Sequence, residues 1–113
     1  PGGVRAMLTL APSIRIYLCL YPTDMRRGFD RLAEEARVLA NEDPLSGHLF
    51  VFRNKRGDRL KVLAWDRNGF AIWYKRLERG RFIFPEKDGA SAMTISPRAF
   101  QLLIGGAIRR RVR

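Results

Sequence analysis

Ten Lys and Arg side chains lie between Arg53 and Arg81, against three acids, Asp58, Asp66 and Glu78. The cations are Arg53, Lys55, Arg56, Arg59, Lys61, Arg67, Lys75, Arg76, Arg79 and Arg81, a local net of +7. Such a set can capture a polyanion electrostatically. Each phosphate it neutralises releases condensed counterions, so affinity falls steeply with salt. Seven of the ten are Arg, whose planar fork suits bidentate phosphate contact and also suits an acidic patch on a protein. Four more Arg lie between Arg109 and Arg113, whereas residues 1–52 balance at six cations against six acids and residues 82–108 at two against two. The whole +11 excess therefore comes from two places. Charge clustered in this way points to nucleic acid, duplex or single-stranded, ahead of a merely basic, soluble surface.

Residues that could do bond chemistry are sparse. Metal-dependent strand cleavage needs two or three acids converging on a divalent ion. The candidates are Asp24, Asp30, Asp58 and Asp66. Each has a simpler reading: a helix cap, a charged helix face, a hairpin turn and the start of a further turn. One histidine, His48, and one cysteine, Cys19, cannot complete a zinc site by themselves. No Ser-His-Asp set and no glycine-rich phosphate loop is recognisable. The expectation is a non-enzyme without a cofactor. Eight aromatic residues, Phe50, Phe52, Trp65, Phe70, Trp73, Tyr74, Phe82 and Phe84, interleave with the cations. Rings in that setting stack on bases in single-strand binders, but a small domain needs most of them inside. Tyr74 and Trp73 are the candidates for exposure.

The elements that must position these residues follow from pattern. Ile14–Leu20 is β-branched and aromatic and predicts a strand, with either alternate set inward, ended by Tyr21-Pro22. Thr23 or Asp24 then suits an N-cap, and Met25, Phe29, Leu32, Ala36 and Leu39 form one face of an amphipathic helix. Gly28 inside that run implies close approach to a neighbour or a late helix start after a turn. His48–Arg53 and Arg59–Trp65 predict a β-hairpin with a cationic tip, Gly57 supplying the tight reversal. Asp66–Gly69 is a turn or a helix start. The run from Phe70 fits two patterns. Phe70, Trp73, Tyr74 and Leu77 match helical spacing, and Phe70, Ile72 and Tyr74 match strand alternation. Helix is preferred, with Gly80 as its stop and Lys75, Arg76 and Arg79 on its other side. Arg81–Phe84 and Ala92–Ile95 predict short strands. Ser96-Pro97 opens a last helix that Gly105-Gly106 stops.

Three strings, in order, carry a resemblance: YPTDMRRGFDRLAEEA (21–36), GHLFVFRNKRGDRLKVLAWD (47–66) and GFAIWYKRLERGRFIFP (69–85). Together they resemble the small accessory protein encoded beside the transposase in insertion sequences of the IS-sixty-six type, also called TnpB or the second-reading-frame protein. It is distinct from the RNA-guided nuclease that shares that name. The likeness spans roughly residues 7–105. It implies a protein that assists transposition while strand chemistry belongs to a separate, larger transposase. Met7-Leu8-Thr9-Leu10 resembles the family's start, which makes residues 1–6 candidates for a non-native addition.

The expected fold is α+β: a mainly antiparallel sheet of four to five strands with the first helix packed on it, in the order β-α-β-β-α-β-β-α. The expected organisation is a flexible segment at 1–13, one domain at 14–105 and a basic tail at 106–113. The expected partners are DNA and the element's transposase, with no membrane and a cytoplasmic location, since no apolar run approaches a span and no signal peptide is evident. Three functions stand: a nucleic-acid-binding accessory protein, a module that bridges the transposase without DNA affinity, and a metal-dependent nuclease.

Overall fold

A computed structural model describes residues 11–107 of the 113. Most of the expected flexible segment and of the expected tail lies outside them. The elements run β1 (Ile16–Cys19), α1 (Phe29–Ala40), β2 (Leu49–Arg53), β3 (Arg59–Asp66), β4 (Gly69–Arg76), β5 (Ala92–Ile95) and α2 (Pro97–Ile104). The five strands form one sheet in the order β4-β3-β2-β1-β5. The fold is α+β as expected, but the sheet is mixed. β1 and β2 are parallel, joined across α1, and the other three pairings are antiparallel. No helix among the described residues is long and apolar enough to cross a membrane.

Both faces of the sheet are covered, which explains why either alternate set of β1 could point inward. Ile16 and Leu18 join Leu49, Val51, Leu60, Val62, Phe82, Phe84 and Phe100 on one side. Tyr17 and Cys19 join Leu32, Ala36, Phe50, Phe52 and Leu63 on the α1 side. Burial pushes the Cys19 thiol far above its ordinary range, so it is an inert apolar residue here.

Three sequence expectations are corrected. The run from Phe70 is strand, not helix. All eight residues of β4 pair with β3, from Asp66↔Gly69 to Arg59↔Arg76. The Asn68-Gly69 pair is a hairpin signal, and Arg67 takes φ +55° in the reversal. Pairing along a whole strand outweighs a helical spacing that four large side chains also happen to satisfy. Second, Arg81–Phe84 is no strand. It makes one bridge, Arg81 to Ala107, and the Phe82 N–H donates to the Gly57 carbonyl at 2.8 Å. Its two rings are buried, so alternation reflected packing rather than a ladder. The order is therefore β-α-β-β-β-β-α. Third, neither Thr23 nor Asp24 caps α1. The cap is Gly28, without a side-chain bond, so the late start is the reading that holds. Phe29 is 51% exposed rather than core. The last helix matches its expectation: Ser96 Oγ accepts from the Ala99 N–H at 3.1 Å, with proline at the first helical position.

Candidate nucleic-acid interface

The β2–β3 hairpin tip is built by Asn54. Its Oδ1 accepts from the N–H groups of Gly57 and Arg59, both at 3.0 Å, and its Nδ2 donates to Asp58 at 2.8 Å. That bond holds the Asp58 carboxyl below its usual range. Gly57 turns the chain at φ +84° with Arg81 packed against it, and Arg81 Nη1 donates to the Arg56 carbonyl at 2.7 Å. The tip is thus braced from two sides, with Lys55 and Arg56 left exposed.

Register carries more cations to this end of the sheet. Arg59 and Arg76 face each other at the last pair of β3 and β4. Arg79 and Arg81 follow β4 and are exposed. Arg76 pairs with exposed Glu78 at 3.0 Å, and Arg59 Nη1 donates to the Tyr74 hydroxyl at 3.1 Å.

Four of the ten expected site residues are placed differently. Lys61 is 8% exposed. Its Nζ donates to the carbonyls of Met25 at 2.7 Å and Arg27 at 2.8 Å, and lies 4.7 Å from the Tyr74 ring centroid. Lys75 Nζ donates to the Ile104 carbonyl at 2.9 Å, a free acceptor at the end of α2. Arg53 stacks its guanidinium 4.7 Å from the Phe84 centroid, and burial lowers its pKa from the ordinary value. Arg67 sits beside Asp66 at 3.4 Å, at the opposite end of β3, about 23 Å from the tip at ordinary strand rise.

One cation that the charge count passed over joins the group. Arg26 lies in the loop between β1 and α1, which the hairpin holds in place. The Thr23 N–H donates to the Arg53 carbonyl at 2.8 Å, Lys61 grips Met25 and Arg27, and Thr23 and Arg27 both bond Glu35. Asp24 accepts from the Arg26 side chain at 2.7 to 3.1 Å and from its backbone N–H at 2.9 Å. Those bonds hold the Asp24 carboxyl well below the usual carboxylate range. Between loop and tip is an open cleft of about 620 Å³, lined by Asp24, Arg26, Asn54, Lys55, Arg56 and Arg59 among others. Residues 1–52 balance overall, so only the position of Arg26 in the PTDMRR string hinted at it.

The other chemistry-bearing residues stay apart. Among the described residues no three His, Cys, Asp or Glu side chains converge as a metal-binding group. Asp30 lies in the first turn of α1, and His48 Nδ1 accepts from the Arg15 N–H at 2.9 Å.

Two relatives from Sinorhizobium fredii (strain NBRC 101917 / NGR234) are similar over nearly the whole chain. Uncharacterized protein y4hO is 40% identical over 100 residues, covering 88% of this chain and 86% of its own. Uncharacterized protein y4jC is 43% identical over 101 residues, covering 88% and 85%. No solved structure matches the chain significantly. Residues 14–113 match the family described as IS66 Orf2 like protein, and the chain therefore belongs to that family of transposition accessory proteins.

Proposed function

We propose that this protein is a non-catalytic accessory factor that binds nucleic acid through the hairpin-tip end of its sheet. The observation that carries the reading is the gathering of Arg26, Lys55, Arg56, Arg59, Arg76, Arg79 and Arg81 around that end, with Asp24, Asp58 and Glu78 among them. Arginine predominates, Lys55, Arg56 and Arg79 are exposed, and among the described residues none of these three appears in an ion pair. Binding of this kind tracks the phosphate backbone and carries little sequence preference. The test is retention on duplex and single-stranded DNA across a salt series, for the protein and for Lys55→Ala/Arg56→Ala/Arg79→Ala. The expected result is an affinity at least about tenfold lower, with the salt slope reduced by roughly 0.7 to 0.9 for each phosphate left unneutralised. Equal binding by both proteins overturns the reading.

One observation favours a second reading, a module that docks the transposase without DNA affinity of its own. An apolar groove of about 310 Å³ runs between α2 and the 83–85 segment, lined by Leu18, Ile83, Pro85, Ile95, Leu102 and Leu103 among others. Its Ile83 and Leu102 side chains are exposed. Co-purification with the transposase that survives nuclease treatment, together with no retention on free DNA, selects this reading over the first.

A further inference from the structure

We propose that the surface takes single-stranded nucleic acid, with Tyr74 as the ring on which an unpaired base stacks and the cleft beside the hairpin tip as the seat of a neighbouring phosphate. The proposal rests on the basic-surface reading above and adds the strand form and the residue that selects it.

Tyr74 differs from the other rings of the basic segment. Phe50, Phe52, Phe82 and Phe84 are buried, and Trp65, Phe70 and Trp73 are half-buried, whereas Tyr74 is 45% exposed. Its orientation is fixed at two points. Lys61 Nζ lies over the ring at 4.7 Å, and Arg59 Nη1 donates to the hydroxyl at 3.1 Å. Lys61 is itself anchored to two carbonyls of the 25–27 loop, so the ring stands on a rigid support. A side chain held in this way loses little rotamer freedom when a ligand arrives. With an ammonium on one face, the opposite face is the one that can receive a planar group.

The surroundings supply the phosphate contacts. Arg59, which grips the Tyr74 hydroxyl, also lines the cleft with Arg26, Lys55 and Arg56. Arg76 lies opposite Arg59 in the ladder. A backbone entering the cleft is therefore handed by Arg59 to the ring. A duplex cannot use that ring, because its base faces are already stacked. An unpaired strand can, and base–aromatic stacking tolerates any base.

The deciding measurement compares one short DNA strand with a strand of equal length made of abasic phosphodiester units, by fluorescence anisotropy at fixed salt. The charges are the same and only the bases differ. The protein should prefer the strand with bases by about fivefold or more, the low end of what one stacked base contributes. Tyr74→Leu should erase the preference, whereas Tyr74→Phe, which lacks the same hydroxyl, should keep most of it, and duplex binding by the two variants should agree within about twofold. The parent comparison needs no variant, so a misfolded Tyr74→Leu does not blunt it. Equal binding of both strands by the parent, with a loss in the triple cation variant, overturns the stacking site and leaves the basic surface standing. A preference undiminished in folded Tyr74→Leu overturns Tyr74 as its source. No binding of strand or duplex overturns both readings.

Discussion

Lys61 and Lys55 are six positions apart, yet they live in different regions and do different work. In the body of the β3–β4 pair, Lys61 and Lys75 turn inward and commit their ammonium groups to backbone carbonyls. At the β2–β3 tip and just past the end of β4, Lys55, Arg56 and Arg79 project into solvent. A net charge adds these residues together; the pleat and the available acceptors separate them. The first set holds the loop and the second helix in place, and the second set remains for a partner.

The largest expected effect breaks the holding set. Lys61→Met keeps the apolar stem and leaves the Met25 and Arg27 carbonyls without their donor. An unsatisfied buried group costs about 1–3 kcal/mol, so urea unfolding should show a loss of roughly 2–4 kcal/mol. Lys75→Met removes one bond at a helix end and should cost only about 1 kcal/mol. Lys55→Ala/Arg56→Ala should stay within about 0.5 kcal/mol of the parent, as exposed substitutions do. If Lys55→Ala/Arg56→Ala destabilises as much as Lys61→Met, the division between holding and free cations is wrong.

A smaller effect sharpens the division within the free set. Asp24 holds the Arg26 guanidinium by three side-chain contacts. Asp24→Asn removes that hold and one negative charge from the cleft. DNA affinity should rise about two- to fivefold at low salt, and the gain should shrink as salt is added. Arg67→Ala, at the far end of β3, should change affinity by less than about twofold, apart from long-range attraction that salt screens. A drop with Arg67→Ala as large as with Lys55→Ala/Arg56→Ala would mean that charge anywhere on the molecule suffices.

How much of this was legible in the sequence depends on what set each feature. Strands β1, β2, β3 and β5 and helix α2 carry local signals, β-branched runs, a hairpin turn and a Ser-Pro cap, and those signals prevailed. β4 carried two periodicities at once. The decision came from its partner strand, which no window of eight residues contains. The start of α1 was misplaced because Asp24 has the chemistry of a cap and uses it on Arg26 instead. For the interface, the hairpin tip was legible because a turn projects its side chains whatever the rest of the fold does. The inward turn of Lys61 was not. It requires the carbonyls of residues 25 and 27, brought in by a loop that lies some 35 positions away in the chain. Arg26 was missed for the same reason.

The smallest expected effect tests the acids that accompany the free cations. The Asp24 carboxyl is held below its ordinary range chiefly by the Arg26 side chain and then by the Arg26 backbone N–H. Asp58 is held below its ordinary range chiefly by Asn54. A depressed carboxylate means that the unfolded chain binds more protons than the folded one as acid is added. The stability it contributes is thus fully present above the unfolded value, near pH 3.9, and is lost as pH falls through the lower folded value. Urea midpoints should be level from pH 8 to pH 5 and should decline below about pH 4, with the decline shallower in Asp24→Asn. Both carboxylates face solvent, so water and salt screen the interaction and the change should be small. The sign carries the information. A midpoint that rises toward pH 3 would mean that the carboxylates are not stabilised by the donors around them, and that the tip and the loop are held together by Lys61 and the backbone alone.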